Sequence, residues 1–232
     1  MSQDDFDTIE MEINGEPDAV IIWLHGLGAD GNDFVPIVNQ LNITRSKGVR
    51  FVFPHAPYRS VTINGGMTMR AWYDVMTLDR NGVQDEIGIQ KSSTFLEGLI
   101  QREYDRGIAY NKIIIAGFSQ GGAIALYTSL RYPKKLGGLI ALSTWMPMEE
   151  KIKSDLVKDN LQPSTLPIFL AHGEYDQVIP FEFGEISKNL IEKIGFKVSW
   201  NSYLIEHSVS QQEISDIGSW LSEILKSWKR FP

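Results

Sequence analysis

Short apolar runs that alternate with helical patterns are the feature of this sequence that most limits its fold. Most of these runs are continuous rather than alternating in polarity, as expected for strands covered on both faces. The predicted strands span residues 19–24, 49–53, 112–116, 138–142, 168–171 and 196–203. The helical patterns span residues 33–41, 86–106, 120–131, 181–194 and 210–228. We therefore predict an α/β fold with a mostly parallel central sheet and helices on both faces.

The remaining segments complete this outline. Residues 6–13 alternate in polarity and predict a half-exposed strand at the edge of the sheet. Residues 54–85 and 143–167 are long and irregular, and such segments are usually functional or contain small elements of their own. A length of 232 residues suits one domain, so we predict a single domain over residues 1–232.

Composition excludes several classes of function. The net charge of -7 argues against neutralisation of phosphate backbones, so no nucleic-acid partner is expected. The chain has no cysteine, which excludes disulfides, thiolate metal sites and a cysteine nucleophile. The acidic start does not resemble a signal peptide, and no run approaches the roughly 20 apolar residues of a transmembrane helix. We expect a cytoplasmic protein.

Residues 117–121, with the sequence GFSQG, fit the pattern G-x-S-x-G between a predicted strand and a predicted helix. In this pattern a sharp turn raises the serine hydroxyl clear of the sheet. Glycines at positions 117 and 121 avoid the collision that side chains would make there. We predict that Ser119 is a catalytic nucleophile; the alternative is a serine that only caps the following helix.

A serine nucleophile needs a histidine base and an acid that orients it. The chain order serine, acid, histidine excludes His25 and His55. His172 would need an acid between residues 120 and 171, where the candidates at positions 149, 150, 155 and 159 are interpreted as surface charges. Asp176 and His207 instead follow the predicted strands 168–171 and 196–203, and both reach the carboxyl edge of the sheet. Their alternatives are a turn aspartate and a histidine at a helix entry, neither with a chemical role.

The oxyanion of a tetrahedral intermediate needs two hydrogen-bond donors. We assign one to the amide of Gln120 and the other to the amide of Leu27, because Gly26 and Gly28 allow the backbone to approach closely. A phosphate-binding loop is disfavoured because no G-x-x-x-x-G-K-[ST] motif occurs. The histidines lack paired ligand spacing, so no metal site is expected.

The chain resembles the acyl-protein thioesterase and carboxylesterase family of α/β-hydrolases, close to its bacterial carboxylesterase branch. The resemblance rests on LHGLGADGNDF, PHAPYRSVTINGGMTMRAWYD, IIIAGFSQGGAIAL, LSTWMP, LAHGEYDQVIP and HSVSQQEISDIGSWL. It implies Ser119 as nucleophile, Asp176 as acid, His207 as base and the amides of Leu27 and Gln120 as oxyanion donors. Two residues depart from the family pattern: Glu206 replaces a glycine before the histidine, and Gln177 replaces a proline after the acid.

The resemblance implies a serine hydrolase without cofactor or metal, acting on short- to medium-chain acyl esters or thioesters, lysophospholipids or acylated proteins. In similar enzymes the residues equivalent to Trp145, Val178 and Phe183 line the acyl site. Family members also suggest peripheral membrane contact or a homodimer through exposed apolar loops. The alternatives are a catalytically silent α/β-hydrolase-fold binding module and an interaction protein that dimerises without turnover.

Overall fold

The structure, a computed structural model, describes residues 7–43, 48–79, 82–158 and 166–228. Its main sheet has seven strands in the spatial order β1-β3-β2-β6-β7-β8-β9, and β4 and β5 form a separate hairpin. The strands are β1 Thr8–Ile13, β2 Pro17–Leu24, β3 Gly48–Pro54, β4 Tyr58–Val61, β5 Met67–Arg70, β6 Ile113–Phe118, β7 Gly138–Leu142, β8 Ile168–Gly173 and β9 Val198–Tyr203. The α-helices are α1 Glu86–Asp105, α2 Gln120–Ser129, α3 Glu149–Lys158, α4 Phe181–Lys193 and α5 Gln211–Ser227.

The sheet confirms the predicted mostly parallel arrangement. β1 runs antiparallel to β3, and the other neighbouring strands of the main sheet run parallel. Each of the six predicted apolar strands agrees with an observed strand to within two residues at either end. β1 lies at the edge, as predicted, with Glu10 and Glu12 exposed; Phe6 lies outside the described residues.

Helices cover both faces of the sheet, as predicted. On one face, alternate residues of β2 such as Ile22 share an apolar core with α1, α2, α3 and α4. On the other face, Ile21 and Phe51 share a second core with Ile217 and Leu221 of α5. Two cores on opposite faces explain why the inner strands are apolar along most of their length. Within the described ranges, no helix is both long and apolar enough to cross a bilayer.

The predicted helix over residues 33–41 is wrong. The segment forms a single 3-10 turn at Val35–Ile37, and most of its other turn bonds join residues three apart. One bond, from the amide of Leu41 to the carbonyl of Ile37, spans four residues. Pro36 lies in the middle of the segment, where it supplies no amide and its ring opposes the carbonyl four residues earlier. The apolar residues keep a helical spacing and still pack on the sheet, but the backbone does not form an α-helix.

The irregular segment 143–167 contains α3, which the sequence reading missed. Asp155 was expected to be a surface charge and is instead buried, with Arg131 Nε at 2.7 Å and Lys151 Nζ at 3.1 Å from its carboxylate oxygens. It follows the buried Ile152 by three residues and so shares the inner face of the helix. Residue 159 lies outside the described residues.

A buried carboxylate holds the edge of the sheet to α1. Glu103 is fully buried, and its oxygens lie 2.8 Å from Arg50 Nη1, 2.9 Å from Arg102 Nη2 and 3.0 Å from Arg106 Nη1. Glu10 of β1 also binds Arg102 and Arg106, at 2.9 Å each. The network therefore joins α1 to β1 and β3 through charges that compensate one another.

Replacing Glu103 by glutamine should destabilise the fold by about 3–5 kcal/mol, because Arg50 and Arg102 would keep buried charges without their main counter-charge. The matched control is Glu12→Gln, which removes an exposed carboxylate that also binds Arg50. We expect this control to cost less than about 1 kcal/mol. Urea unfolding of the two variants checks the prediction, and equal losses would contradict it.

The carboxyl of Glu213 is buried in the first turn of α5. Ser210 and Glu213 form a capping box, in which each side chain accepts a hydrogen bond from the other residue's amide. Burial raises the pKa of Glu213 from 4.5 to about 8; the Ser210 amide opposes this rise, and Asp216 adds to it. The folded protein therefore binds the proton of Glu213 more tightly than the unfolded chain does.

Stability should consequently fall as the pH rises through about 8, because the contribution from protonated Glu213 is complete only below its ordinary pKa of 4.5. Glu213→Gln keeps the capping hydrogen bonds but does not titrate, so its Tm should rise relative to wild type between about pH 5 and pH 8. Calorimetry over this range tests the prediction. Glu223→Gln, which removes an exposed carboxylate from the same helix, is the control.

Candidate active site

Ser119 lies at the turn between β6 and α2, where the backbone is unusually tight. Its φ of 54° and ψ of -120° are values that residues with side chains rarely adopt. A Cβ at Gly117 would lie 2.4 Å from the carbonyl oxygen of Gly121, and one at Gly121 would lie 2.5 Å from that of His25. Both glycines are therefore required by close contact. The Ser119 side chain makes no capping bond to α2, which rules out the capping alternative.

A hydroxyl, an imidazole and a carboxylate form a continuous row at this turn. His207 Nε2 lies 2.9 Å from Ser119 Oγ, and His207 Nδ1 lies 2.7 Å from Asp176 Oδ2. The carboxylate can only accept, so Nδ1 carries a proton. In the neutral form of the ring, Nε2 then accepts from the hydroxyl. Such a row can take a proton from the serine and stabilise the imidazolium that results.

Asp176 is held in place just beyond β8. Its Oδ1 accepts hydrogen bonds from the amides of Val178 at 2.9 Å and Ile179 at 2.8 Å. Burial raises the pKa of Asp176, but the hydrogen bond from His207 and those from the two amides outweigh burial and hold the pKa below its ordinary value. The carboxyl is therefore ionised at neutral pH. Gln177, the departure from the family pattern, is exposed.

His207 belongs to a loop that follows β9 and packs on the end of β8. A Cβ at Gly173 would lie 2.5 Å from the carbonyl oxygens of Ile205 and Glu206, so a glycine there lets this loop approach. The ring of Phe118 lies 4.8 Å from the imidazole and supports it from the side. The Glu206 side chain is exposed, so this departure leaves the contacts of His207 intact.

A mostly apolar cavity of about 400 Å³ opens beside Ser119. Of the residues predicted to surround the substrate, Leu27, Gln120, Trp145 and Val178 line it. Phe183 does not; it lines a smaller neighbouring cavity that shares Trp145 and Val178 as a wall. The sequence reading did not single out these further lining residues: Ala29, Asp33, Ile63, Asn64 and Ile179.

The side chain of Gln120 is a feature that sequence reasoning missed. Its Oε1 accepts from the amide of Trp72 at 2.8 Å, and its Nε2 donates to the carbonyl of Tyr73 at 2.7 Å. These two buried bonds join the start of α2 to the chain that follows the β4–β5 hairpin. The sequence carried no signal for this contact, because the partners are backbone groups 47 and 48 residues away.

The three remaining histidines lie around the row rather than in it. His172 Nε2 is 2.9 Å from the carbonyl oxygen of Ile179 and 3.5 Å from Asp176 Oδ2. Burial lowers the pKa of His172 and lowers that of His25 to about 4, so burial favours the neutral form of both rings. His25 and His55 hydrogen-bond to backbone groups of the loops that follow β2 and β3.

Known proteins are similar to this chain in sequence and in fold. The model of a family described as phospholipase/carboxylesterase matches residues 8–225. The acyl-protein thioesterase 1 of Yarrowia lipolytica is 41% identical over 213 residues, which are 90% of this chain and 92% of the relative. That of Cryptococcus neoformans is 38% identical over 90% of this chain and 93% of its own length.

Solved structures of similar proteins have the same fold as this chain. The crystal structure of SOBER1 from Arabidopsis thaliana superposes with a TM-score of 0.82 at 32% identity, over 89% of this chain and 99% of that one. Acyl-protein thioesterase 2 from Zea mays gives a TM-score of 0.84 at 27% identity, over 95% and 99%. The chain therefore belongs to the phospholipase/carboxylesterase family of α/β-hydrolases, whose members hydrolyse carboxylic esters and thioesters.

Proposed function

We propose that this enzyme cleaves carboxylic ester and thioester bonds through a covalent acyl intermediate on Ser119. In this proposal His207 is the general base and acid, and Asp176 orients its ring. The observation that supports it is the unbroken row of two hydrogen bonds, 2.9 Å from Ser119 Oγ to the imidazole and 2.7 Å from the imidazole to the carboxylate.

The reaction then has two halves. Ser119 Oγ attacks the carbonyl carbon while its proton passes to His207 Nε2, and this proton then goes to the leaving alcohol or thiol as the C–O or C–S bond breaks. Water attacks the acyl-enzyme in the same way, which releases the carboxylic acid and returns a proton to Ser119. Asp176 remains ionised and stabilises the imidazolium in both halves. Protein groups and water suffice for these steps, with no cofactor.

The amides of Leu27 and Gln120 are proposed to stabilise the oxyanion. Gln120 begins α2, where amides have no partner within the helix and the helix dipole favours a negative charge. Leu27 follows Gly26, whose Cβ, if present, would lie 3.4 Å from the Cβ of Ser119. The backbone of this loop thus passes directly beside the nucleophile. One such donor is worth about 3–4 kcal/mol of the barrier.

The cavity supports an acyl group as the part of the substrate that is recognised. Ile63, Val75, Leu78, Trp145 and Val178 give it a mostly apolar wall. The names of the relatives favour acylated proteins or other acyl thioesters as substrates. Short- to medium-chain esters and lysophospholipids carry the same acyl–carbonyl unit and are the other candidates.

The β4–β5 hairpin borders this cavity, because Ile63 and Asn64 of its connecting turn line the cavity. Tyr58 and Met67 on its strands are exposed. These side chains support the expected peripheral membrane contact or homodimer. Both contacts stay predictions, as does a cytoplasmic location.

Removing the nucleophile should abolish turnover. Ser119→Ala should lower kcat by about 10⁵-fold or more, and Asp176→Asn by about 10⁴-fold, because the asparagine favours the wrong tautomer of His207. Hydrolysis of p-nitrophenyl esters and acyl thioesters measures both effects. A fluorophosphonate should label wild type and leave Ser119→Ala unlabelled. Equal hydrolysis by wild type and Ser119→Ala would refute the mechanism, and a wild type without turnover or labelling would favour the binding module.

Replacing Trp145 by alanine should shift the preferred acyl chain to greater length, because Trp145 belongs to the wall between the two cavities. Each further buried methylene contributes about 0.8 kcal/mol, or about fourfold in kcat/KM. A series of p-nitrophenyl esters of increasing chain length measures the shift. Tyr175→Ala, which removes an exposed aromatic side chain outside both cavities, is the control and should keep the wild-type profile.

A further inference from the structure

Two histidines outside the catalytic row join the loops that follow β2 and β3. The amide of Ala56 donates to His25 Nε2 at 3.0 Å, and the amide of Gly31 donates to His55 Nδ1 at 3.0 Å. Each loop therefore gives one imidazole acceptor and one amide donor to the other. We call this pair of reciprocal bonds, formed by His25, Ala56, His55 and Gly31, the histidine clasp.

The hydrogen bonds define which nitrogen of His25 carries the proton. Nδ1 lies 2.7 Å from the carbonyl oxygen of Gly26, which can only accept, so Nδ1 carries the proton. Nε2 is then unprotonated and accepts from Ala56. Burial lowers the pKa of His25 to about 4, which is consistent with a neutral ring at neutral pH. Trp72 Nε1 also donates to the carbonyl of His25 at 2.9 Å, so the residue is held at both its backbone and its ring.

The carbonyl that His25 binds belongs to the same peptide unit as the Leu27 amide. In a planar trans peptide, the C=O of Gly26 and the N–H of Leu27 point in opposite directions. Fixing the oxygen towards His25 therefore fixes the N–H away from it. Leu27 lines the catalytic cavity together with Ser119, so the orientation of this peptide decides where its amide points.

We propose that His25 and His55 are positioning residues that aim the Leu27 amide at the oxyanion. This inference rests on the proposed function, because it takes Leu27 as an oxyanion donor. His25 sets the peptide directly, and His55 sets it through Gly31, at the far end of the same loop. Neither histidine lines the cavity, so both act on the reaction through the backbone.

Such a role affects the transition state more than the bound substrate, because the negative charge on oxygen develops only as the serine attacks. Loss of the clasp should therefore lower kcat and leave KM nearly unchanged. A role limited to folding would instead lower the Tm and the fraction of active molecules, without changing kcat per active site.

The test compares two replacements of His55. His55→Leu removes the acceptor at similar size, whereas His55→Asn places Oδ1 near the position of Nδ1 and can still accept from Gly31. We expect kcat per titrated active site to fall about 10- to 100-fold in His55→Leu, with KM within about twofold, and to stay within about threefold of wild type in His55→Asn. A fluorophosphonate end-point titration counts the active sites.

A trifluoromethyl ketone with a matching acyl chain provides a second readout, because its adduct with Ser119 carries the oxyanion. Its Ki should rise in His55→Leu by the same factor as kcat/KM falls, and should recover in His55→Asn. If His55→Leu does not fold, His25→Asn replaces it. This variant loses the bond from Ala56 and should lower kcat about 10-fold without a change in KM.

Three results would overturn the positioning role of the histidine clasp. They are an unchanged kcat per active site in His55→Leu or its substitute His25→Asn, a change confined to KM, and equal losses of kcat in His55→Leu and His55→Asn. Retained hydrolysis by Ser119→Ala would overturn the proposed function instead. The two failures can therefore be told apart with the same set of proteins.

Discussion

Close approach of the backbone around Ser119 is the constraint on which the rest of the site depends. A residue with a side chain at φ 54° costs on the order of 1–3 kcal/mol, so its surroundings must hold it there. The Ser119 amide donates to the carbonyl of Leu142 at 2.9 Å, and Thr144 Oγ1 donates to the carbonyl of Ser119 at 2.7 Å. β7 and the chain beyond it thus fix the turn from one side, while Gly117 and Gly121 leave the room that it needs.

The order of the strands explains how remote residues meet at this turn. Leu27, Ser119, Asp176 and His207 follow β2, β6, β8 and β9, which run parallel and end at the same edge of the sheet. Each of these residues comes one to four positions after the end of its strand, so all four lie close to the same edge. The residues that directly follow each parallel strand therefore determine which chemical groups meet at this edge of the sheet.

Local sequence patterns predicted the strands, most of the helices and the candidate catalytic residues. The features that they did not predict depend mainly on contacts between segments distant in sequence. Buried parallel strands are apolar along most of their length, so they were visible in the sequence. Chain order excluded His25 and His55, and the position after predicted strands then favoured Asp176 and His207. Pro36 stopped a helix that apolar spacing had favoured. The burial of Asp155 depends on Arg131, and the contacts of the Gln120 side chain depend on backbone 47 and 48 residues away. The spacing of apolar residues along the sequence carries no information about such contacts between distant residues.

The position of β9 at the free end of the sheet has a consequence for how activity is lost. Ser119, the proposed nucleophile, directly follows β6, which has a strand on each side, whereas His207, the proposed base, follows β9, which among the described residues pairs only with β8. Edge elements open at a lower free energy than the centre of a sheet. On heating, β9 would detach before the rest of the sheet unfolds and would carry the imidazole of His207 away from Ser119. Enzymatic activity would therefore be lost at a lower temperature than the global unfolding of the protein.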